Sequence, residues 1–193
     1  TMNGLASGSS ALKTFLETRM DVDQFLCAYA VNVMVGMWDD YWHGQNNYYF
    51  YFDENNKFYF IPFDYDNTLG TSMGMNAGTQ NMLTWGSLDN DRVLMRKVMS
   101  ITEYKERYKN YIKELASADN DYFYTDKSLA RIRQWHAMIS PYLANDTGED
   151  MMLNDVPGGW GNCSFYRLLT GNDQGGNSGE ANWFKTKIKS INF

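Results

Sequence analysis

The sequence predicts an α+β protein that is mostly helical and carries one small antiparallel hairpin. Apolar residues recur at helical spacing after Asp21, after Thr102 and after Thr125. Two strongly aromatic runs, residues 48–52 and 57–61, flank a four-residue polar turn, which is the pattern of a hairpin. Aromatic side chains make up 16% of the 193 residues, so we expect a packed protein rather than a disordered one.

The helix boundaries follow from capping residues. Asp21 is predicted to open a helix with Gln24 three residues on, and Gly36 is predicted to end it. Further helices are predicted at about residues 93–98, 102–115, 125–141 and 180–191. The stretches 70–88 and 148–179 are rich in Gly and polar residues, which predicts irregular loops.

Composition excludes several classes of protein. The net charge of −6 and the lack of a basic stripe argue against a nucleic-acid surface. No apolar stretch approaches the roughly 18 residues of a membrane helix. Cys27 and Cys163 lack the CxxC spacing of a cysteine zinc site, and the apolar pattern around Cys27 predicts an inert core residue.

Polar oxygen-bearing side chains flank the predicted hairpin. Asp39 and Asn47 precede its first strand, and Asp64 and Asp66 follow its second. Because a hairpin returns the chain to its starting point, we expect these groups to meet at its open end. Oxygen ligands of this kind suit Mg²⁺ with phosphate oxygens, so the sequence favours a metal-nucleotide site. The alternative is that the aspartates only cap turns around an ordinary hairpin.

Several assignments within this region have two interpretations. Asp40 is either a solvated neighbour of Asp39 or an Asx cap, or it is the catalytic base. Asn46 or Asn47 supplies the amide ligand, and Asp66 is either a ligand or a turn residue. His43 either contacts phosphate or substrate or is a surface loop histidine, and the second interpretation is favoured.

Four ordered motifs resemble the spore-coat CotH kinase-like family. They are Asp21-Val-Asp-Gln-Phe25, Gly36-Met-Trp-Asp39, Asn47-Tyr-Tyr-Phe-Tyr51 and Ile61-Pro-Phe-Asp64-Tyr-Asp66. The close resemblance covers residues 20–72. It departs from the family pattern at Met37, where an Asn is usual, and at Phe63, where a Trp is usual.

The resemblance implies a protein-kinase-like C-terminal lobe with the metal site on its hairpin. It implies ATP-dependent phosphoryl transfer, with Mg²⁺ or Mn²⁺, to Ser or Thr of secreted or cell-surface proteins. Asp39 then corresponds to the catalytic aspartate, Asn47 and Asp64 to the ligands that hold metal and nucleotide, and Asp66 to a further metal ligand. Residues 1–19 are then an N-terminal remnant or linker, and residues 20–193 a C-lobe without its N-lobe.

Two other functions remain open from the sequence. A glycoside hydrolase would use Asp39 or Asp40 together with Asp64 or Asp66 as its carboxylate pair. A non-catalytic pseudokinase or surface-binding domain would have the same fold and no turnover.

Overall fold

The described part of the chain is mostly helical and contains one two-stranded antiparallel sheet, as predicted. The computed structural model describes residues 1–65, 68–69, 78–86, 92–123, 125–144 and 179–193. After a 3-10 helix at Met2–Gly4, the elements are α1 (Ser10–Arg19), α2 (Val22–Met34), β1 (Tyr48–Phe52), β2 (Phe58–Pro62), α3 (Val93–Met99), α4 (Thr102–Ala116), α5 (Asp126–Ala144) and α6 (Gly179–Lys189). Among the described residues, no helix combines the length and apolarity needed to cross a membrane.

The chain divides into two compact units. The first comprises Thr1–Tyr65, Met82–Glu114 and Phe193, and contains the hairpin. The second comprises Asp66–Asn81 and Leu115–Asn192. In the second unit, Phe123 packs edge to face on Phe184, with ring centroids 4.8 Å apart.

The predicted start of α2 and the predicted hairpin are both confirmed. Asp21 caps α2 by accepting a hydrogen bond from the Gln24 amide at 3.0 Å. Gly36 follows the helix with φ 69°, the left-handed conformation that glycine adopts at helix ends. The strands pair in register from Tyr48 opposite Pro62 to Phe52 opposite Phe58.

An aromatic core joins α2, the hairpin and α4 in the first unit. Tyr29 lies at its centre, with ring centroids 4.9 Å from Phe25, 5.1 Å from Phe60 and 6.0 Å from Trp42. Trp42 in turn contacts Tyr108 of α4 at 6.4 Å. All five rings are buried, so the loop that contains Trp42 is anchored on the core at its middle.

Two features differ from the sequence prediction. Residues 10–19 form α1, capped by Ser9, which accepts from the Leu12 amide at 3.1 Å, and Leu12 and Leu16 are buried. The prediction that Cys27 is a core residue is wrong, because its side chain is exposed on α2. Cys163, most of the predicted loop 148–179 and residues 70–77 and 87–88 of the other loop lie outside the described residues.

Candidate functional site

The open end of the hairpin brings the segments before β1 and after β2 together. The Phe63 amide donates to the Asn47 carbonyl at 3.2 Å, which extends the ladder by one pair beyond Tyr48 and Pro62. Asp64 is the next residue and its side chain is exposed. Hairpin pairing therefore places Asp64 beside Asn47 at the mouth of the loop.

Asp39 forms hydrogen bonds with side chains at this end of the hairpin. Its Oδ2 accepts hydrogen bonds from Asn47 Nδ2 at 3.1 Å and from Asn46 Nδ2 at 3.2 Å. Both candidate amides therefore contact the same carboxylate oxygen. Asn47 is buried, whereas Asn46 is exposed, so Asn47 is the more firmly fixed of the two.

The backbone at the site has unusual dihedral angles. Asn47 has φ 51° and Asp64 has φ 60°, both in the left-handed region. Residues other than glycine rarely adopt this backbone conformation, although Asn and Asp tolerate it better than most. Asn47 pairs with Phe63 just beyond the sheet, and Asp64 is the next residue, so two left-handed polar residues lie within one position of each other at this end of the hairpin. Backbone strain of this kind concentrates at functional sites.

Asp40 is buried beneath the loop. Only 1% of it is exposed, and its Oδ1 accepts from the His43 amide at 2.8 Å. Burial raises the pKa of this carboxyl to about 7, and the His43 hydrogen bond opposes the shift. The interpretation of Asp40 as a cap is confirmed, and its interpretation as a solvated residue is wrong.

His43 lies half-buried within the loop. Its ring centroid is 5.8 Å from Trp85 and 6.5 Å from Trp38. Burial lowers the pKa of His43, and the charge of Arg92 lowers it further. A neutral imidazole at pH 7 follows, so His43 adds no positive charge beside Asp39.

Asn47 and Asp64 carry oxygen atoms of the kind that a hard divalent cation binds. With Asn47 Nδ2 donating to Asp39, its Oδ1 is the atom that could bind a metal together with the Asp64 carboxylate. Asp66, the third predicted ligand, lies outside the described residues. Within the described part of the chain, no group of three or more His, Cys, Asp or Glu side chains lies close enough together to hold a metal ion.

Sequence reasoning missed two residues that contact the loop. Arg92 donates from Nε to the Trp42 carbonyl at 3.1 Å and from Nη2 to the His43 carbonyl at 2.8 Å. At Gly86, a Cβ would lie 2.0 Å from the same Trp42 oxygen. Both residues contact backbone atoms that are more than forty residues away in sequence. No spacing pattern in the sequence predicts such contacts.

Two apolar surfaces border the hairpin. On its outer face, Tyr49, Tyr51 and Phe63 are 62%, 55% and 38% exposed, and the Tyr49 and Phe63 rings stack at 4.8 Å. On its inner face, an apolar groove of about 610 Å³ is lined by residues such as Phe50 and Leu94. None of the predicted site residues lines this groove, so its size is no guide to the chemistry.

The fold and the site define a helical α+β protein with an Asp–Asn pair at the mouth of a hairpin. The family model described as CotH kinase protein matches residues 2–172. The match covers most of the chain, and the chain therefore belongs to this family. The resemblance noted in the sequence is thus confirmed.

Three curated relatives come from Rhizopus delemar. The chain is 35% identical to Invasin CotH3 over 72 residues, which is 36% of this chain and 12% of that protein. It is 31% identical to Spore coat protein homolog 1 over 97 residues, 48% of this chain and 16% of that protein. With Invasin CotH2 it shares 36% identity over 67 residues, 34% of this chain and 11% of that protein.

The chain thus spans between 11% and 16% of the length of these relatives. No solved structure matches the chain.

Proposed function

We propose that this chain supplies the catalytic loop and metal ligands of a CotH-type kinase. The reaction would be Mg²⁺- or Mn²⁺-dependent transfer of a phosphoryl group from ATP to Ser or Thr of secreted or surface proteins. The observation that carries the proposal is the contact of Asp39 with Asn47 at the end of the hairpin, where Asp64 also lies. Loop, two strands and a metal-binding aspartate occur in this order in kinase C-lobes.

The roles follow from the chemistry of each group. Asp39 has one carboxylate oxygen occupied by two amide donors, which leaves Oδ1 to orient a substrate hydroxyl and accept its proton. Asn47 Oδ1 and the Asp64 carboxylate would hold the metal, with Asp66 as a further ligand. The metal held by these residues would supply neutralisation of the phosphate charge.

The relatives' names support a location at the cell surface. Two are named invasins and one a spore coat protein homolog. We extend that location to this chain as part of the proposal.

The test uses the full-length gene product. Mg²⁺ with ATP is expected to raise its melting temperature, since a ligand that binds only the native state stabilises it. Labelled phosphate from ATP should pass to an acceptor protein rich in Ser and Thr. Asp64→Ala should remove the thermal shift, and Asp39→Asn should abolish transfer while the shift remains.

Asp119→Ala is the matched control, because it removes a carboxylate from an exposed turn. It should leave both measurements unchanged. Binding without transfer would instead indicate a pseudokinase, and oligosaccharide turnover without metal would indicate a hydrolase.

A second candidate is a non-catalytic binding domain. The exposed ring pair of Tyr49 and Phe63 favours it, because contiguous exposed aromatic side chains often mark interaction sites. This candidate predicts neither a nucleotide-dependent shift nor phosphoryl transfer.

A further inference from the structure

The loop of residues 39–47 is held from its inner side by Asp40. The Oδ1 atom accepts from the His43 amide at 2.8 Å, and the Asp40 carbonyl accepts from Gln45 N at 2.6 Å and Asn46 N at 3.3 Å. These bonds fold the loop back on itself. They bring the amide side chains at its end towards Asp39.

The same loop is held from a distant segment by Arg92. Its guanidinium donates to two consecutive carbonyls, Trp42 at 3.1 Å and His43 at 2.8 Å. The planar guanidinium presents several N–H donors in a fixed arrangement, so it fixes the direction of both carbonyls at once. A lysine offers one compact donor group and cannot match both positions equally well.

Close packing reinforces this contact. A Cβ on Gly86 would lie 2.0 Å from the Trp42 oxygen that Arg92 binds, so the backbone passes directly against that carbonyl. Trp85 packs against the His43 ring at 5.8 Å. The middle of the loop therefore has little room to move once Arg92 is in place.

We infer that Arg92 is a positioning residue that sets the path of the 39–47 loop through the carbonyls of Trp42 and His43. Through that path it holds Asn47 against Asp39. This inference rests on the proposed function for its catalytic consequence. Displacing a reacting group by about 1 Å can reduce a rate about 100-fold, so a small shift of the loop is sufficient.

The test compares Arg92→Met and Arg92→Lys with wild type in the full-length protein. Hydrogen exchange of the His43, Gln45 and Asn46 amides reports the loop without any substrate. In Arg92→Met these amides should exchange about tenfold faster or more, whereas the amides of α2 should keep their protection. Arg92→Lys should restore part of the protection, since it keeps one donor.

Kinetics give the second measurement. In Arg92→Met, kcat should fall about 100-fold while KM for the acceptor changes by less than about threefold, because positioning acts on the reacting groups. Arg131→Met is the matched control, since the exposed Arg131 pairs with Asp121 in the second unit, away from the loop in sequence. It should change neither the exchange of the loop amides nor kcat.

Unchanged exchange of the three loop amides in folded Arg92→Met would overturn the inference, as would a kcat within about twofold of wild type. If Arg92→Met does not fold, Arg92→Lys and Arg92→Gln carry the same comparison. If wild type neither binds nucleotide nor transfers phosphate, the proposed function fails. The exchange data alone then decide whether Arg92 holds the loop.

Discussion

The hydroxyl of Tyr65 donates a hydrogen bond to Oδ1 of Asn32 at 2.6 Å. Asn32 is fully buried on α2, and Tyr65 follows Asp64 directly after the hairpin. The bond therefore connects the chain beyond β2 to the helix that precedes the 39–47 loop. It fixes the backbone at the residue next to the proposed metal ligand.

Tyr65→Phe should weaken this connection. The substitution leaves a buried acceptor without its donor, which costs about 1 kcal/mol or more of stability. The melting temperature should fall by a few degrees, and the shift caused by Mg²⁺ with ATP should become smaller. Tyr122→Phe is the control, because Tyr122 is 64% exposed, and it should change neither. Equal melting temperatures for Tyr65→Phe and wild type would contradict the prediction.

Asp40→Asn should alter the pH dependence of stability. Burial raises the pKa of Asp40 from 3.8 to about 7, so the native state binds this proton more tightly than the unfolded chain. The free energy of unfolding therefore falls as pH rises through this interval and levels off above it. The full effect is roughly 4 kcal/mol at most.

An asparagine at position 40 keeps the oxygen that accepts from His43 and does not ionise. Relative to wild type, Asp40→Asn should thus gain melting temperature between about pH 5 and about pH 8. Thermal unfolding at both pH values measures this. For Asp119→Asn, the difference in melting temperature from wild type should be the same at both pH values. If the difference for Asp40→Asn were also the same at both, Asp40 would be ionised in the native state across this pH range, and the prediction would be wrong.

Substitutions at Asp64 should separate backbone strain from metal binding. Because φ is 60° at this residue, Asp64→Gly should be more stable than Asp64→Ala by about 1 kcal/mol. Both variants lose the carboxylate, so both should lose the thermal shift caused by Mg²⁺ with ATP. Asp119 does not have a positive φ. At this position the order of stability should therefore reverse, with Asp119→Gly less stable than Asp119→Ala. Chemical denaturation of the four variants measures the differences.

Gly86→Ala should destabilise the first unit. The added Cβ would lie 2.0 Å from the Trp42 oxygen and 2.4 Å from its carbonyl carbon, and both are backbone atoms that cannot rotate away. Overpacking of this kind costs on the order of 3 kcal/mol. Gly4→Ala is the control, since its Cβ would meet nothing within 4 Å. Similar melting temperatures for the two variants would contradict the packing described at Trp42.

The elements that the sequence predicted well depend on local rules. Asp21 and Thr125 cap helices because their side chains reach amides three residues on, at 3.0 Å in both cases. The hairpin follows from two continuous aromatic runs on either side of a polar turn. The α1 helix was not predicted, because few of its residues are apolar and only two of them, Leu12 and Leu16, are buried. Which of its residues are buried depends on segments that are distant in sequence.

The sequence alone determined the family, the hairpin and the order of Asp39, Asn47 and Asp64, because these depend on residue type and on short spacing. Only the tertiary structure decided that Asp40 is buried with a raised pKa, that Asn46 and Asn47 share one oxygen of Asp39, and that Arg92 binds the loop. Burial and long-range hydrogen bonds depend on which segments pack together. That packing is set by the whole chain and not by any window of it.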